Sequence, residues 1–146
     1  MLFKGFGLGL FVVLMLGTVA ADYANFLRQH YDNSQKTGGK GYCNKKMKER
    51  EMTRPECKEL NTFIHDATNN IKAVCVGNGG QDYPIQLPDG RVKILRRSTA
   101  QFQVTTCKMR GKSPKPPCEY RENPSRRYIV IACEDGNPVH YEEGHI

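Results

Sequence analysis

The chain has 146 residues, and its 22 lysines and arginines outnumber its 15 acidic residues, which gives a formal net charge of +7 at pH 7. A chain of this length has room for one domain of ordinary size and excludes a second. An excess of positive charge indicates a polyanionic partner, such as nucleic acid, anionic lipid or a glycosaminoglycan.

The first residues, up to about Ala21, carry a single charge, Lys4, and otherwise form an apolar and glycine-rich run that ends in small residues. This pattern is typical of a secretory signal peptide. A membrane anchor needs about 20 apolar residues followed by a basic stop-transfer cluster, and this run is short and is followed by no such cluster. We therefore predict a signal peptide at residues 1–21, a single domain at residues 22–146, and secretion to the extracellular space.

All six cysteines belong to the predicted mature domain: Cys43, Cys57, Cys75, Cys107, Cys118 and Cys133. An even number of cysteines after a secretory signal predicts three disulfides. A zinc site would need a Cys-x-x-Cys pair or histidines at ligand spacing, and the sequence has neither, so we predict no metal and no cofactor. Six cysteines allow about 15 sets of pairs, and the residues alone do not choose among them.

Three short helices are predicted in the first half of the chain. Apolar residues recur every three or four positions from Asp22 to about Asn33, which indicates an amphipathic helix carrying His30. A glycine-rich loop follows at residues 34–41, and the same periodicity then predicts a second helix from Tyr42 to about Met52.

The middle of the chain is predicted to contain a strand at residues 61–65 and a third helix at residues 66–73, begun by an Asp or Thr cap. Residues 74–76 are predicted to start another strand. The glycines and prolines of residues 77–89 indicate a long surface loop.

The rest of the chain has the alternating pattern of antiparallel strands, at residues 92–94 and 102–106. A proline-rich turn at residues 111–117 precedes a predicted hairpin around Asn123-Pro124-Ser125, and a last strand at residues 138–142 carries His140. Helices come first and strands dominate later, so the fold class is predicted to be α+β.

Three motifs set this sequence apart from an ordinary small domain: Gln29-His30, Cys57-Lys58-x-x-Asn61-Thr62-Phe63 and Pro138-Val139-His140. Together with the order of the cysteines, they resemble the pancreatic ribonuclease (ribonuclease A) superfamily, in which Cys-Lys-x-x-Asn-Thr-Phe lies between an N-terminal and a C-terminal catalytic histidine. The segments at residues 103–108 and 113–118 are similar to the angiogenin branch of that family.

The resemblance implies a ribonuclease A-like fold, in which three helices of the N-terminal half pack on a curved antiparallel sheet. It also implies a disulfide pairing: Cys43 with Cys107, Cys57 with Cys118, and Cys75 with Cys133.

The implied activity is that of an endoribonuclease that cleaves RNA 3′ of pyrimidines without a metal, with modest activity. His30 and His140 would act as base and acid when the ribose 2′-hydroxyl attacks its own 3′-phosphate, and their roles would reverse when the 2′,3′-cyclic phosphate is hydrolysed. Histidine suits both tasks because its ordinary pKa of about 6.5 leaves both forms populated near neutrality. Lys58 would stabilise the charge that grows on the phosphate oxygens.

Six residues are predicted to bind the substrate by the same resemblance. Thr62 would select the pyrimidine base, with Asn61 beside it; Gln29 and the backbone of Tyr141 would contact the phosphate; and Arg28 and Lys108 would bind neighbouring phosphates. His65 is expected to make a buried structural hydrogen bond, and His145, near the C-terminus, is given no role.

Two departures from angiogenins matter. Glu143 stands where angiogenins have a C-terminal glutamine that obstructs the pyrimidine pocket, so the degree of obstruction is open. The arginine run of the angiogenin nuclear-import cluster is replaced by residues 48–51, in which acids alternate with bases. The sequence therefore weakens the case for nuclear import after uptake.

The predicted partner is RNA, either transfer RNA or another single-stranded RNA, bound by a monomer. One alternative is a cationic host-defence protein that acts on an anionic bacterial surface or a glycosaminoglycan, through Lys45, Lys46, Lys48, Arg96, Arg97, Arg126 and Arg127. The other is an angiogenic signal that binds a cell-surface receptor. The segment at residues 77–91 aligns with the cell-binding segment of angiogenins, but it differs too much to identify a receptor.

Overall fold

The computed structural model describes residues 20–34 and 38–144. Almost all of the predicted signal peptide, part of the first loop and His145 therefore lie outside the described residues. Residues 20–30 are helical and form α1. The other helices are α2 (Tyr42–Glu49) and α3 (Thr68–Ala73), and a 3₁₀ turn covers Gly77–Gly79. None of the helices within the described residues is long and apolar enough to cross a membrane.

Seven strands form two antiparallel sheets. The strands are β1 (Leu60–Ile64), β2 (Gly80–Gln86), β3 (Val92–Ser98), β4 (Phe102–Met109), β5 (Tyr120–Arg127), β6 (Val130–Glu134) and β7 (Asn137–Tyr141). One sheet has the order β1-β4-β5 and the other the order β2-β3-β6-β7. Helix α1 docks beside β1, where the Asp32 N–H donates to the carbonyl of Ile64 at 3.1 Å. The predicted α+β class is confirmed.

The three disulfides are Cys43–Cys107, Cys57–Cys118 and Cys75–Cys133, the pairing that the family resemblance implied. They join residues 64, 61 and 58 positions apart in the sequence. Loops of this length lower the entropy of the unfolded chain, and each bridge contributes about 4 kcal/mol in the chain-entropy description. Covalent links thus supplement the hydrophobic core.

Two predictions that rested on proline were wrong. Residues 80–86, predicted as loop, form strand β2, and Asn123-Pro124-Ser125, predicted as a hairpin turn, lie in the middle of β5. Both strands are at an edge of their sheet. At an edge, a proline can use the side of the strand that needs no N–H donor, so Pro84 and Pro124 do not interrupt the pairing.

Smaller corrections concern element ends. Residues 74–76, predicted as the start of a strand, are turn and bend after α3. Helix α3 has Ala67 at its N-cap without a side-chain cap; Asp66 lies one residue earlier and accepts the Ala67 N–H at 2.7 Å. Helix α2 ends at Glu49, before the predicted Met52, because Glu51 adopts a left-handed backbone with φ of 61°.

Candidate active site

His30 is held in the last turn of α1 and is only 5% exposed. Its Nδ1 lies 2.9 Å from the carbonyl oxygen of Thr62, and its ring packs between Phe26, 5.2 Å away, and Tyr141, 5.3 Å away. A carbonyl can only accept, so the Nδ1 atom carries the hydrogen and the neutral ring keeps its lone pair on Nε2. The second nitrogen is therefore the one available as a base.

The pKa of His30 is lowered from 6.5 to about 3, chiefly by burial; the bond to the Thr62 carbonyl opposes the shift, and the charges of Lys58, His140 and Arg28 add to it. The ring is thus neutral at physiological pH, as a general base requires. Lys58 and His140, from distant parts of the sequence, therefore each lie within electrostatic reach of His30.

We expect the free energy of unfolding to fall as the pH drops from 6.5 towards 3, because in this range the unfolded chain binds a proton at His30 and the folded chain does not. The stabilisation is complete above the unfolded-state pKa and is lost as the pH falls to the folded-state value. In a His30→Gln variant, urea-unfolding free energies measured across this window should decline less steeply. Parallel pH dependences in the two proteins would contradict the expectation.

Lys58 is fixed by two hydrogen bonds. Its Nζ donates to Gln29 Oε1 at 2.9 Å and to Asn61 Oδ1 at 2.7 Å, and the Asn61 amide nitrogen in turn donates to the Gln29 carbonyl at 2.8 Å. Burial lowers the pKa of Lys58, and the carboxylate of Glu143 opposes that shift. The ammonium group is therefore held beside α1, next to Gln29, the residue that precedes His30.

Asn61 was predicted to bind substrate, but its side chain is 0% exposed. Both ends of its amide are used inside the protein, where they link Lys58 to α1. Asn61 is therefore placed to orient the lysine, and its predicted contact with the substrate stays a prediction.

His140 lies on β7 with its side chain 53% exposed, and its Nε2 is 2.9 Å from Glu142 Oε2. A carboxylate accepts, so Nε2 carries a hydrogen, and Nδ1 is the nitrogen that gains or releases the second proton. Glu142 was missing from the sequence prediction. The sequence did contain an indication of this contact: Glu142 is two residues after His140 in the predicted last strand, and alternate residues of a strand lie on one face.

Glu143 occupies the groups of Thr62 that are expected to read the base. The Thr62 N–H donates to Glu143 Oε2 at 3.1 Å, and the Thr62 hydroxyl donates to Glu143 Oε1 at 2.6 Å. Burial raises the pKa of Glu143, whereas the bonds from Thr62 and the charge of Lys58 lower it. The structure thus shows Glu143 on both of the Thr62 groups that are expected to read the base.

Replacing Glu143 with alanine should raise kcat/KM for cleavage at cytidine by about 5- to 30-fold. This increase corresponds to about 1–2 kcal/mol, the free energy with which the two bonds to Thr62 stabilise the closed position of Glu143. The physical reason is that the wild-type protein must break both Thr62 bonds before a base can bind. Glu143→Gln is the matched control, because its amide keeps one acceptor and one donor for Thr62, and it should give a smaller increase. Unchanged activity in Glu143→Ala would show that the tail does not restrict the site.

The remaining predicted residues are distributed around this centre. Gln29 lies against Lys58, Tyr141 against His30, and Lys108 is exposed on β4. Arg28 donates to the Arg50 carbonyl and to Asn25, so it is partly engaged within the protein. His65 bonds the Asp32 carbonyl and the Thr105 hydroxyl, at 2.6 and 2.7 Å, and has the structural hydrogen bonds that were expected for it.

A buried neutral imidazole, a second imidazole paired with a carboxylate, and an ordered ammonium group define a site for acid–base cleavage of a phosphodiester. The chain belongs to the pancreatic ribonuclease family, whose family model matches residues 21–142. Mouse angiogenin-3 is 49% identical over 132 residues, covering 88% of this chain and 84% of its own length. Bovine angiogenin-2 is 50% identical over 124 residues, with 85% and 94% covered.

Solved structures give the same result for the fold. Green turtle egg white ribonuclease superposes with a TM-score of 0.70 at 42% identity, over 84% of this chain and 97% of that one. Zebrafish RNase5 gives a TM-score of 0.70 at 36% identity, over 88% and 98%. The protein is therefore an angiogenin-like ribonuclease, as the sequence motifs indicated.

Proposed function

We propose that this ribonuclease cleaves RNA on the 3′ side of pyrimidines in two steps. In the first step, Nε2 of His30 takes the proton of the ribose 2′-hydroxyl while the 2′-oxygen attacks phosphorus. The bond from phosphorus to the leaving 5′-oxygen breaks, and His140 gives its proton to that oxygen. In the second step the roles reverse: His140 removes a proton from water as the water oxygen attacks the phosphorus of the 2′,3′-cyclic phosphate. The bond from phosphorus to the 2′-oxygen breaks, and His30 gives its proton to that oxygen.

The observation that supports this proposal best is that Lys58 and His140 each lie within electrostatic reach of the buried His30. Lys58 is proposed to lie against the phosphate oxygens on which negative charge develops. Gln29, which accepts a hydrogen bond from Lys58, is proposed to contact the same phosphate. A fixed ammonium group stabilises the transition state more than the ground state, because charge on the non-bridging oxygens increases as the 2′-oxygen attacks. The backbone of Tyr141, whose ring stacks on the His30 ring, is proposed to assist at the same phosphate.

Thr62 is proposed to recognise the pyrimidine with its N–H and hydroxyl after Glu143 has moved away. In this scheme the closed tail keeps activity modest, because only the fraction of molecules with an open site binds substrate. Arg28 and Lys108 are proposed to bind phosphates of the chain on either side, so their loss should weaken binding in a salt-dependent manner.

The proposal is tested with a DNA oligonucleotide that contains a single ribocytidine. Cleavage is expected only after that nucleotide, it should persist with a metal chelator, and the product should end in a 2′,3′-cyclic phosphate. The matched substrate with deoxycytidine at the same position should stay intact, because it lacks the attacking hydroxyl. Equal cleavage after riboadenosine would refute the pyrimidine preference, and cleavage of the all-DNA control would refute the chemistry.

We propose a site of action outside the cell, supported by three disulfides, which persist in oxidising compartments. Nuclear import gains no support, because Arg50 of the angiogenin-like cluster is used internally: its guanidinium donates to the carbonyls of Leu27 and Arg28 at 3.1 and 2.7 Å. It also lies 5.9 Å from the ring of Phe63.

A membrane-active role is less supported than the sequence suggested. Among the seven cations considered for it, Lys46 pairs with Asp32 and Glu49, Lys45 with Glu49, and Arg96 with Asp82. These charges are partly neutralised within the protein. A ribonuclease active site therefore explains the observed contacts of more side chains than a cationic, membrane-binding surface does.

A further inference from the structure

The contact between Thr62 and Glu143 shows which hydrogen-bonding groups Thr62 presents to the base site. The Thr62 N–H donates to Glu143 Oε2 at 3.1 Å, and the Thr62 hydroxyl donates to Glu143 Oε1 at 2.6 Å. Thr62 therefore acts in this contact as two adjacent donors. A threonine hydroxyl can also accept, because its hydrogen rotates to suit the partner. The other neighbours of the hydroxyl therefore decide whether it donates to a base or accepts from it.

Tyr141 on β7 is one of these neighbours. The residue is 3% exposed, and its ring belongs to the core cluster that includes Ile64. Ile64 follows Thr62 by two positions on β1, and alternate residues of a strand share a face. The ring also stacks on His30, 5.3 Å away, whose Nδ1 bonds the Thr62 carbonyl. Tyr141 is thus held against the part of β1 that carries the Thr62 side chain.

The phenol hydroxyl of Tyr141 forms a hydrogen bond with the Thr62 side chain. Burial raises the pKa of Tyr141 to about 12, and the charge of Glu143 adds to the shift; the bond with Thr62 and the charge of Arg127 oppose it. The phenol therefore keeps its proton at physiological pH. A phenol is a stronger acid than an aliphatic alcohol, so in a pair of these two hydroxyls the phenol is the better donor and threonine the better acceptor.

Thr106 is another hydroxyl neighbour, and its Oγ1 lies 3.2 Å from Thr62 Oγ1. Two threonine hydroxyls are equally acidic, so either one can be the donor, and this contact leaves the direction of the Thr62 hydrogen undecided. Tyr141 differs from both threonines in acidity. The direction is therefore set by the phenol.

We propose that Tyr141 determines which pyrimidine is cleaved: its hydroxyl donates to Thr62 Oγ1, which turns the Thr62 hydrogen towards the base, so that the site prefers cytosine to uracil. This inference rests on the proposed function and deepens it. Cytosine has acceptors at N3 and O2, which match the two donors of Thr62, whereas N3 of uracil carries a hydrogen and needs an acceptor. The two carboxylate oxygens of Glu143 now occupy the donors that cytosine would use.

Two DNA oligonucleotides of the same sequence test the inference, one with a single ribocytidine and the other with a single ribouridine at the same position. Each can be cleaved only after its ribonucleotide, since deoxynucleotides lack the 2′-hydroxyl. The measured quantity is the ratio of kcat/KM for the ribocytidine substrate to that for the ribouridine substrate. In the wild-type protein this ratio should exceed one.

In Tyr141→Phe, which keeps the ring and the backbone and removes only the hydroxyl, the ratio should fall by about 3- to 10-fold, the range expected for one hydrogen bond. The Thr62 hydroxyl is then free to accept from N3 of uracil. A merely structural role of Tyr141 would lower cleavage of both substrates equally and leave the ratio unchanged.

Tyr31→Phe is the matched control, because Tyr31 packs against the same core cluster and also loses only a hydroxyl. Its ratio should equal that of the wild type, and Thr106→Val should keep the preference for cytosine. The inference would be overturned by a wild-type ratio of one or less, by an unchanged ratio in Tyr141→Phe, or by loss of the preference in Thr106→Val. Failure of the wild-type protein to cleave after either ribonucleotide would instead overturn the proposed function.

Discussion

His30→Ala and His140→Ala are each expected to lower kcat/KM for cleavage at ribocytidine by about 10²–10⁴-fold, the usual contribution of one positioned proton-transfer group. Each variant keeps the other histidine, Lys58 and the base site. The loss would therefore report the missing proton transfer, provided that the fold is intact. Circular dichroism and the unfolding midpoint check the fold, and they matter most for His30, which is buried against Phe26 and Tyr141.

The two histidines can be told apart with a substrate whose leaving group needs no proton, such as a cytidine 3′-phosphate ester of 4-nitrophenol. The assigned acid, His140, should become nearly dispensable with this substrate, so His140→Ala should regain most of its lost activity. His30→Ala should stay inactive, since the 2′-hydroxyl still has to lose its proton. The opposite pattern would exchange the two roles, and full activity in both variants with RNA would remove this site from the reaction.

Local sequence patterns were sufficient for the elements that carry the site. The apolar period of three to four residues places His30 on a helix, and α1 is helical through His30. The alternation near residues 102–106 and the final segment at residues 138–142 correspond to β4 and β7. Such patterns report which face of an element is buried, so they identify elements whose burial is regular.

The positions of distant residues relative to one another did not follow from those local patterns. Nothing in the local sequence brings His30, Lys58 and His140 together, because they lie on α1, before β1 and on β7, and their approach depends on the disulfides and on sheet order. The motif resemblance supplied that information. The strands containing Pro84 and Pro124 were missed for a related reason: whether a proline is tolerated depends on which strand lies at an edge, a property of the whole sheet.

The contacts of the two tail acids followed only in part from the sequence. Glu142 and Glu143 are adjacent and chemically identical, yet one holds His140 and the other closes on Thr62. Glu142 directly follows β7, whereas Glu143 lies in the turn after it, so the two side chains reach different partners. Under the proposed mechanism, this pair of carboxylates orients the acid His140 and limits entry of the base.

Lys58→Ala should lower kcat/KM by about 10²–10³-fold, because it removes the ammonium group that Gln29 and Asn61 hold and that is proposed to stabilise the reacting phosphate. The loss should be mostly in kcat, since the contact strengthens as charge develops in the transition state. Single-turnover kinetics on the single-ribocytidine substrate measure it, with Lys112→Ala, an exposed lysine of the 111–117 turn, as the control.

Lys58→Arg separates charge from position. Arginine keeps the positive charge, but its planar fork is wider than the ammonium group, and it does not fit the two acceptors that hold Lys58 at 2.9 and 2.7 Å. If placement is what matters, the arginine variant should recover little activity, and Asn61→Ala should lose activity although its own side chain is buried. Full activity in Lys58→Arg together with wild-type activity in Asn61→Ala would mean that any nearby cation suffices, and that the network from α1 to β1 serves stability alone.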